Sequence, residues 1–194
     1  MGYLRKDFYY NAAKKHNFLA RSIFKIQEID KQFQLIKPNL NLLDLGCSPG
    51  GWLQYVSKKL GNSGNIVGVD LKAIDKSRFS TSIDFIHGNI FEVGQEISNK
   101  GLFDLILSDI SSKLTGISCA DLYNNFCLNR EVISIGLKNL KIGGNLCMKM
   151  FESAKTRQLL CFCRLYFQTV RQLRLKSTRR ESAEIYLIAL NRII

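Results

Sequence analysis

Residues 44–52 read Asp44-Leu45-Gly46-Cys47-Ser48-Pro49-Gly50-Gly51-Trp52. An apolar run at 42–45 leads into this segment, and a helical pattern continues from it to residue 59. The order is therefore strand, glycine turn, helix. Gly46 lets the chain leave the strand sharply, while Gly50 and Gly51 let backbone approach a ligand and let the helix pack closely on the sheet.

Working outward, short apolar runs at 66–69, 83–86, 103–107 and 145–150 predict four more strands. Helical stretches alternate with them, notably 121–140, and Lys141-Ile142-Gly143-Gly144 reads as a turn. Residues 154–167 read as a helix, and 170–175 and 185–190 as the last two strands, joined by a basic loop and paired antiparallel. Before the glycine segment, Ile23, Ile26, Ile29 and Phe33 recur at helical spacing within 18–36, a helix that Lys37-Pro38-Asn39 ends. Continuous apolar strands alternating with helices predict a doubly covered α/β fold of Rossmann-like type. Its seven-stranded sheet is mostly parallel, with the last strand antiparallel. Ligands in such sheets bind at the C-terminal strand ends. Asp70, Asn89, Asp109 and Lys149 all fall at or beside such ends, so they should share one rim.

Asp70 closes the strand that follows the glycine turn. A carboxylate there can accept hydrogen bonds from both ribose hydroxyls of an adenosine-containing ligand. The spacing Gly46-x-x-x-Gly50-Gly51 is not the G-x-G-x-x-G of dinucleotide sites, which argues against a nucleotide-dependent oxidoreductase. The segment also lacks the Lys-Ser/Thr pair that grips phosphate. The ligand this pattern fits is S-adenosylmethionine, which has no phosphate.

The length of 194 residues predicts one domain covering 1–194. No apolar run approaches the roughly 18 residues of a membrane span, and the N-terminus lacks a secretory h-region. Six cysteines form no C-x-x-C pair and only two histidines are present, so no metal site is expected. Reduced, mostly apolar-flanked cysteines favour a cytoplasmic setting. The net charge of +12 is uneven: 1–37 carries +5, 38–149 only +1, and 150–194 +6. Basic ends over a neutral middle suit a polyanion. In the basic N-terminal segment 1–37, Tyr3, Arg5, Lys6, Phe8, Tyr9, Tyr10, Lys14, Lys15 and Arg21 mix cations with rings that either stack on bases or pack on the domain. The second basic stretch, 171–180, reads RQLRLKSTRR.

Across residues 7–188 the chain resembles the RrmJ/FtsJ-type RNA ribose 2′-O-methyltransferases. The blocks that carry this are Ala20-Arg21-Ser22-Ile23-Phe24-Lys25, residues 44–52, Leu107-Ser108-Asp109, Met148-Lys149-Met150-Phe151, and Arg180-Glu181-Ser182-Ala183-Glu184-Ile185-Tyr186-Leu187. The resemblance implies a catalytic set of Lys25, Asp109, Lys149 and Glu184, and a cofactor set of Gly46, Gly50, Gly51, Trp52, Asp70, Asn89 and Asp109. It implies ribosomal RNA as substrate, a uridine of the large subunit, and a monomeric enzyme. Another RNA such as tRNA, or a catalytically weak cofactor-binding assembly factor, stands as the alternative. The chain departs from the family pattern at Asn89, where Asp is common, at Ile110-Ser111-Ser112-Lys113 in place of Ala-Pro-Asn, and at Glu152-Ser153-Ala154 where glycine is common.

The chemistry asks for such a set. A ribose hydroxyl is a poor nucleophile at neutral pH and must lose its proton as it attacks a methyl group. A free lysine is mostly protonated there, and a neighbouring cation or burial favours its neutral form. On this reading Lys149 handles the proton, Lys25 assists it and contacts backbone, Asp109 orients Lys149, and Glu184 positions Lys25 or the ribose.

Overall fold

The computed structural model describes residues 7–112, 115, 118–179 and 181–194. Tyr3, Arg5, Lys6, Lys113 and Arg180, singled out above, lie outside the described residues. The elements are α1 (Phe8–Lys15), α2 (Ile23–Phe33), β1 (Leu40–Leu45), α3 (Gly51–Leu60), β2 (Gly64–Asp70), β3 (Ile83–His87), α4 (Gly94–Ser98), β4 (Phe103–Ser108), α5 (Ser118–Asn139), β5 (Leu140–Phe151), α6 (Ala154–Cys163), β6 (Phe167–Leu173) and β7 (Glu184–Arg192). One sheet holds all seven strands in the order β3-β2-β1-β4-β5-β7-β6. Strands β1 to β5 pair in parallel, and β7 runs antiparallel to both β5 and β6. The expected sheet is thus present, with the last strand reversed.

Side chains alternate across a strand, and that alternation builds two cores. Leu43, Leu45, Ile106, Leu146, Met148 and Leu187 face one side, where Val132, Ile133 and Leu160 of α5 and α6 cover them. Leu42, Leu105, Leu107, Cys147, Tyr186 and Ile188 face the other, covered by Ile26 and Ile29 of α2 and by Leu53 and Val56 of α3. Among the described residues no helix is long and apolar enough to cross a membrane.

Three expectations need correction. The helix foreseen over 18–36 is shorter at both ends: it begins at Ile23 after the Ser22 cap, and Gln34 ends it with a left-handed φ of 51°. The Asp30 carboxylate then accepts the Ile36 N–H at 2.8 Å and draws the chain back toward the sheet. The turn at 141–144 lies inside β5 as an irregularity: Phe103 pairs with Leu140, but Leu105 pairs with Asn145. Gly143 there has φ +80°, a conformation that suits glycine. The short α1 was not foreseen as a helix. Asp7 caps it by accepting the Tyr10 N–H at 2.9 Å.

Candidate active site

The alternation that builds the α2-covered core also builds the site. Leu105 and Leu107 face α2, so Asp109, just past the end of β4, emerges on that side. Cys147 faces it as well, and Lys149 follows two residues on. On β7, Tyr186 and Ile188 face it, as does Glu184. The β5–β7 register sets Lys149 opposite Tyr186 and Phe151 opposite Glu184. Lys25 comes down from α2 beside buried Ile26.

The four predicted catalytic positions therefore meet. Lys149 Nζ donates to the Asp109 carbonyl at 2.6 Å and lies 3.3 Å from the Asp109 carboxylate. Lys25 Nζ lies 2.7 Å from Glu184 Oε1 and donates to Oε2 at 2.9 Å. It stands 4.0 Å from Asp109. Tyr186 donates its hydroxyl to Asp109 Oδ1 at 2.8 Å, and Thr178 donates to Glu184 Oε1 at 3.1 Å. Burial opposes ionisation of Asp109, but Lys149, Lys25 and the Tyr186 hydroxyl outweigh it and hold the carboxyl below its ordinary range. Burial, Asp109 and Glu184 push the Tyr186 phenol well up, so it stays a donor.

A cleft of about 530 Å³ opens over this group, lined by Ser22, Lys25, Ser111, Lys149, Thr178 and Glu184 among others. A smaller pocket of about 120 Å³ lies behind it, lined by Asp44, Gly46, Ser48, Gly51, Trp52 and Asp109 with Ser22, Cys47 and Pro49. Ser22 borders both, and the Asp109–Lys149 pair stands at their junction.

The glycines of the turn meet physical needs. Gly46 and Gly50 have φ +78° and +109°. A Cβ on Gly50 would stand 2.6 Å from the Phe79 ring, and one on Gly51 would stand 2.7 Å from Ser22 Oγ. The Trp52 indole turns inward: it is buried, donates to the Ser22 carbonyl at 3.0 Å and packs on Tyr186. Asp70 accepts the Ser48 N–H at 2.9 Å and the Lys72 N–H at 2.8 Å, tying the turn to the end of β2. Asn89 follows β3 on the same rim and accepts the Phe91 N–H at 3.2 Å. Neither Asp70 nor Asn89 lines the small pocket. Asp44 does, and both of its buried carboxylate oxygens lack a hydrogen-bond partner. Unpaired buried carboxylate oxygens are costly, so the pocket is shaped for a ligand that donates or carries positive charge.

Residues 18–192 match the family model described as FtsJ-like methyltransferase. The chain belongs to that family. Among its relatives, the protein of Desulfatibacillum aliphaticivorans named "Ribosomal RNA large subunit methyltransferase E" is 35% identical over 187 residues, covering 95% of this chain and 90% of that one. The protein of the same name from Borrelia duttonii is 38% identical over 185 residues, covering 94% of each. A Plasmodium falciparum crystal structure described as a ribosomal RNA methyltransferase matches with a TM-score of 0.78 and 27% identity, covering 91% of this chain and 99% of that one. A fibrillarin/Nop5p complex, at 16% identity and TM-score 0.59, shares the fold over 79% of this chain and 73% of that one.

The sequence pattern left Tyr186, Thr178 and the unpaired state of Asp44 unremarked. A signal for Tyr186 was available: in a strand, positions two apart share a face, so a Glu184 turned to the site brings Tyr186 with it.

Proposed function

We propose that this methyltransferase transfers a methyl group from S-adenosylmethionine to a ribose 2′-oxygen of ribosomal RNA, a uridine of the large subunit. The observation that carries the reading is the Asp109–Lys149 pair at the junction of two spaces. One is a small glycine-walled pocket with an unpaired carboxylate, and the other is a wider cleft edged by cations.

Gly46, Gly50, Gly51 and Trp52 would form the wall for the cofactor. Asp70, Asn89 and Asp109 would meet its polar groups along the rim, and Asn89 offers its amide oxygen to an adenine amino group. The fit is chemical: the methionine end of S-adenosylmethionine carries a sulfonium and an ammonium, the kind of charge that the Asp44 pocket lacks. Bound there, S-adenosylmethionine supplies an electrophilic methyl group.

The target hydroxyl would enter from the wider cleft. In its amine form Lys149 would take up the proton that the 2′-hydroxyl gives up on being methylated. Asp109, held ionised, stabilises the ammonium that results. Glu184 fixes Lys25, and Lys25 supplies positive charge beside the substrate backbone.

The basic hairpin between β6 and β7 supports an RNA substrate. Glu28 accepts the Lys176 and Ser177 N–H groups at 2.8 and 3.2 Å, which anchors this loop on α2 beside the cleft. Arg171 on β6 and Arg174 just past its end are exposed. Phosphates bind such surfaces largely by counterion release. The relatives' names support the large ribosomal subunit. We read the chain as one domain, in keeping with its single sheet, and as a monomeric, cytoplasmic enzyme.

Transfer of a tritiated methyl group to ribosomal particles, to naked ribosomal RNA and to tRNA, followed by nuclease mapping, tests the assignment. Label confined to one 2′-O-methylated nucleotide of large-subunit RNA is expected. Label in tRNA, or on a base, would displace it.

A further inference from the structure

Asp44 sits on β1 with its side chain toward the α2-covered face, 1% exposed. Among the described residues, nothing donates to either of its oxygens. Among the described residues its surroundings hold other acids, and no cation pairs with it. Asp109 approaches from the end of β4 and Asp70 from the end of β2, and the thiols of Cys47 and Cys147 lie close enough for Asp44 to act on them. From the α2 and α3 side come Ser22 and Trp52, both uncharged. The two lysines of the catalytic group are engaged elsewhere, Lys149 with Asp109 and Lys25 with Glu184 and Asp109.

Two neighbouring carboxyls here are driven apart. Burial, then Asp109 and Asp70, push Asp44 well above the ordinary carboxylate range. Lys149, Lys25 and Tyr186 hold Asp109 below it, against its burial. Where two acids share a site, one takes the charge and the other takes the proton.

We infer that Asp44 holds a proton while its pocket is empty and releases it when the positively charged methionine end of S-adenosylmethionine enters, so that cofactor binding and loss of one proton are a single event. The inference rests on the cofactor assignment above. Its physical basis is charge balance. An anionic Asp44 with no partner carries the cost of burying a bare charge. The entering ligand brings the missing counter-charge, and the proton leaves to solvent. The cofactor thereby meets an anion that the empty protein does not have to maintain, and the pocket stays neutral in both states.

Titration calorimetry of the full chain with S-adenosylmethionine, in two buffers of different ionisation enthalpy between about pH 5 and 7, reads the proton directly. The expected result is about one proton released per cofactor in the lower part of that range. Affinity should rise by up to about tenfold per pH unit until Asp44 is ionised in the empty protein. In Asp44→Asn the released proton and the pH dependence should both disappear, and binding should weaken. An infrared band of a protonated carboxyl should be present in the empty wild-type protein, lost on adding S-adenosylmethionine, and missing from Asp44→Asn. Binding with heats independent of buffer and affinity independent of pH would overturn the inference while leaving the cofactor assignment standing. Failure of S-adenosylmethionine to bind at any pH would overturn that assignment and the inference with it. Repeating the titration with S-adenosylhomocysteine, which has lost the sulfonium charge, locates the partner. Release with both ligands assigns Asp44 to the ammonium, and release with S-adenosylmethionine alone assigns it to the sulfonium.

Discussion

The Tyr186 hydroxyl donates to Asp109 Oδ1 at 2.8 Å from the centre of an antiparallel strand pair, where Tyr186 lies opposite Lys149. Asp109 is thus held from two sides, by a neutral donor on β7 and by the Lys149 ammonium on β5. Tyr186→Phe keeps the ring that packs on Trp52 and removes only the donor. It should cost about 1–3 kcal/mol, because a buried carboxylate loses a hydrogen bond. The pH dependence carries the diagnostic sign. Asp109 is depressed in the folded state, so it contributes stability above its unfolded pKa of about 3.9 and loses it as pH falls through the lower folded value. Tyr186→Phe should move that acid loss to higher pH. Chemical denaturation across acid pH measures it, and an unchanged acid limb would contradict the assigned hydrogen bond.

Asp44 should show the opposite sign. Its folded pKa is raised, so its contribution is fully present below its unfolded pKa and is lost as pH rises through the folded value. Asp44→Asn should therefore leave the cofactor-free protein more stable than wild type near neutral pH and no more stable in acid. Thermal unfolding at both pH values, without cofactor, checks this.

The sequence carried most of this site, for reasons that can be traced to single residues. Lys149 stood out because a lysine inside Leu146-Cys147-Met148-Lys149-Met150-Phe151 must either be paired or do chemistry. The glycine segment stood out because its residue types match backbone conformations that only glycine adopts easily, as the positive φ of Gly46 and Gly50 bears out. Partners across strands were not legible. Pairing of β5 with β7 depends on register, so the Tyr186–Asp109 hydrogen bond could not be read from local pattern, whereas contact of Glu184 with Lys25, 159 residues away, was one of the two roles that the family resemblance implied. Trp52 shows a further limit. The segment suggested its place at the small pocket, which it lines, but not that its indole donates inward to the Ser22 carbonyl. Capping of α1 by Asp7 was not legible either, because the helix is only eight residues long and buries little.

Lys25 and Glu184 form a pair with side chains 11% exposed each. Breaking a buried pair from one side strands a charge, at about 3–5 kcal/mol. Glu184→Ala and Lys25→Ala should each destabilise by that order, and the double variant by clearly less than the sum. A double-mutant cycle on unfolding free energies reads the coupling. Strict additivity would show that the two side chains act separately.

The exposed arginines of the β6–β7 hairpin should act on RNA and not on the cofactor. Arg171→Glu and Arg174→Glu should weaken RNA binding across sequences and lower the salt slope by about 1 for each phosphate that is no longer neutralised. S-adenosylmethionine affinity should stay at the wild-type value. Filter binding at several salt concentrations separates the two, and an unaltered salt slope would remove this hairpin from the RNA surface.

The mechanism turns on Lys149 handling the proton of a ribose 2′-hydroxyl. Single-turnover transfer to large-subunit ribosomal RNA by wild type and by Lys149→Ala tests this step, with S-adenosylmethionine affinity measured on the same samples and the product read as 2′-O-methyl nucleotide by mass spectrometry. The expected rate for Lys149→Ala is lower by about 10²–10⁴-fold, with cofactor binding retained. A Lys149→Ala protein that binds the cofactor and transfers methyl groups at the wild-type rate would contradict the assignment.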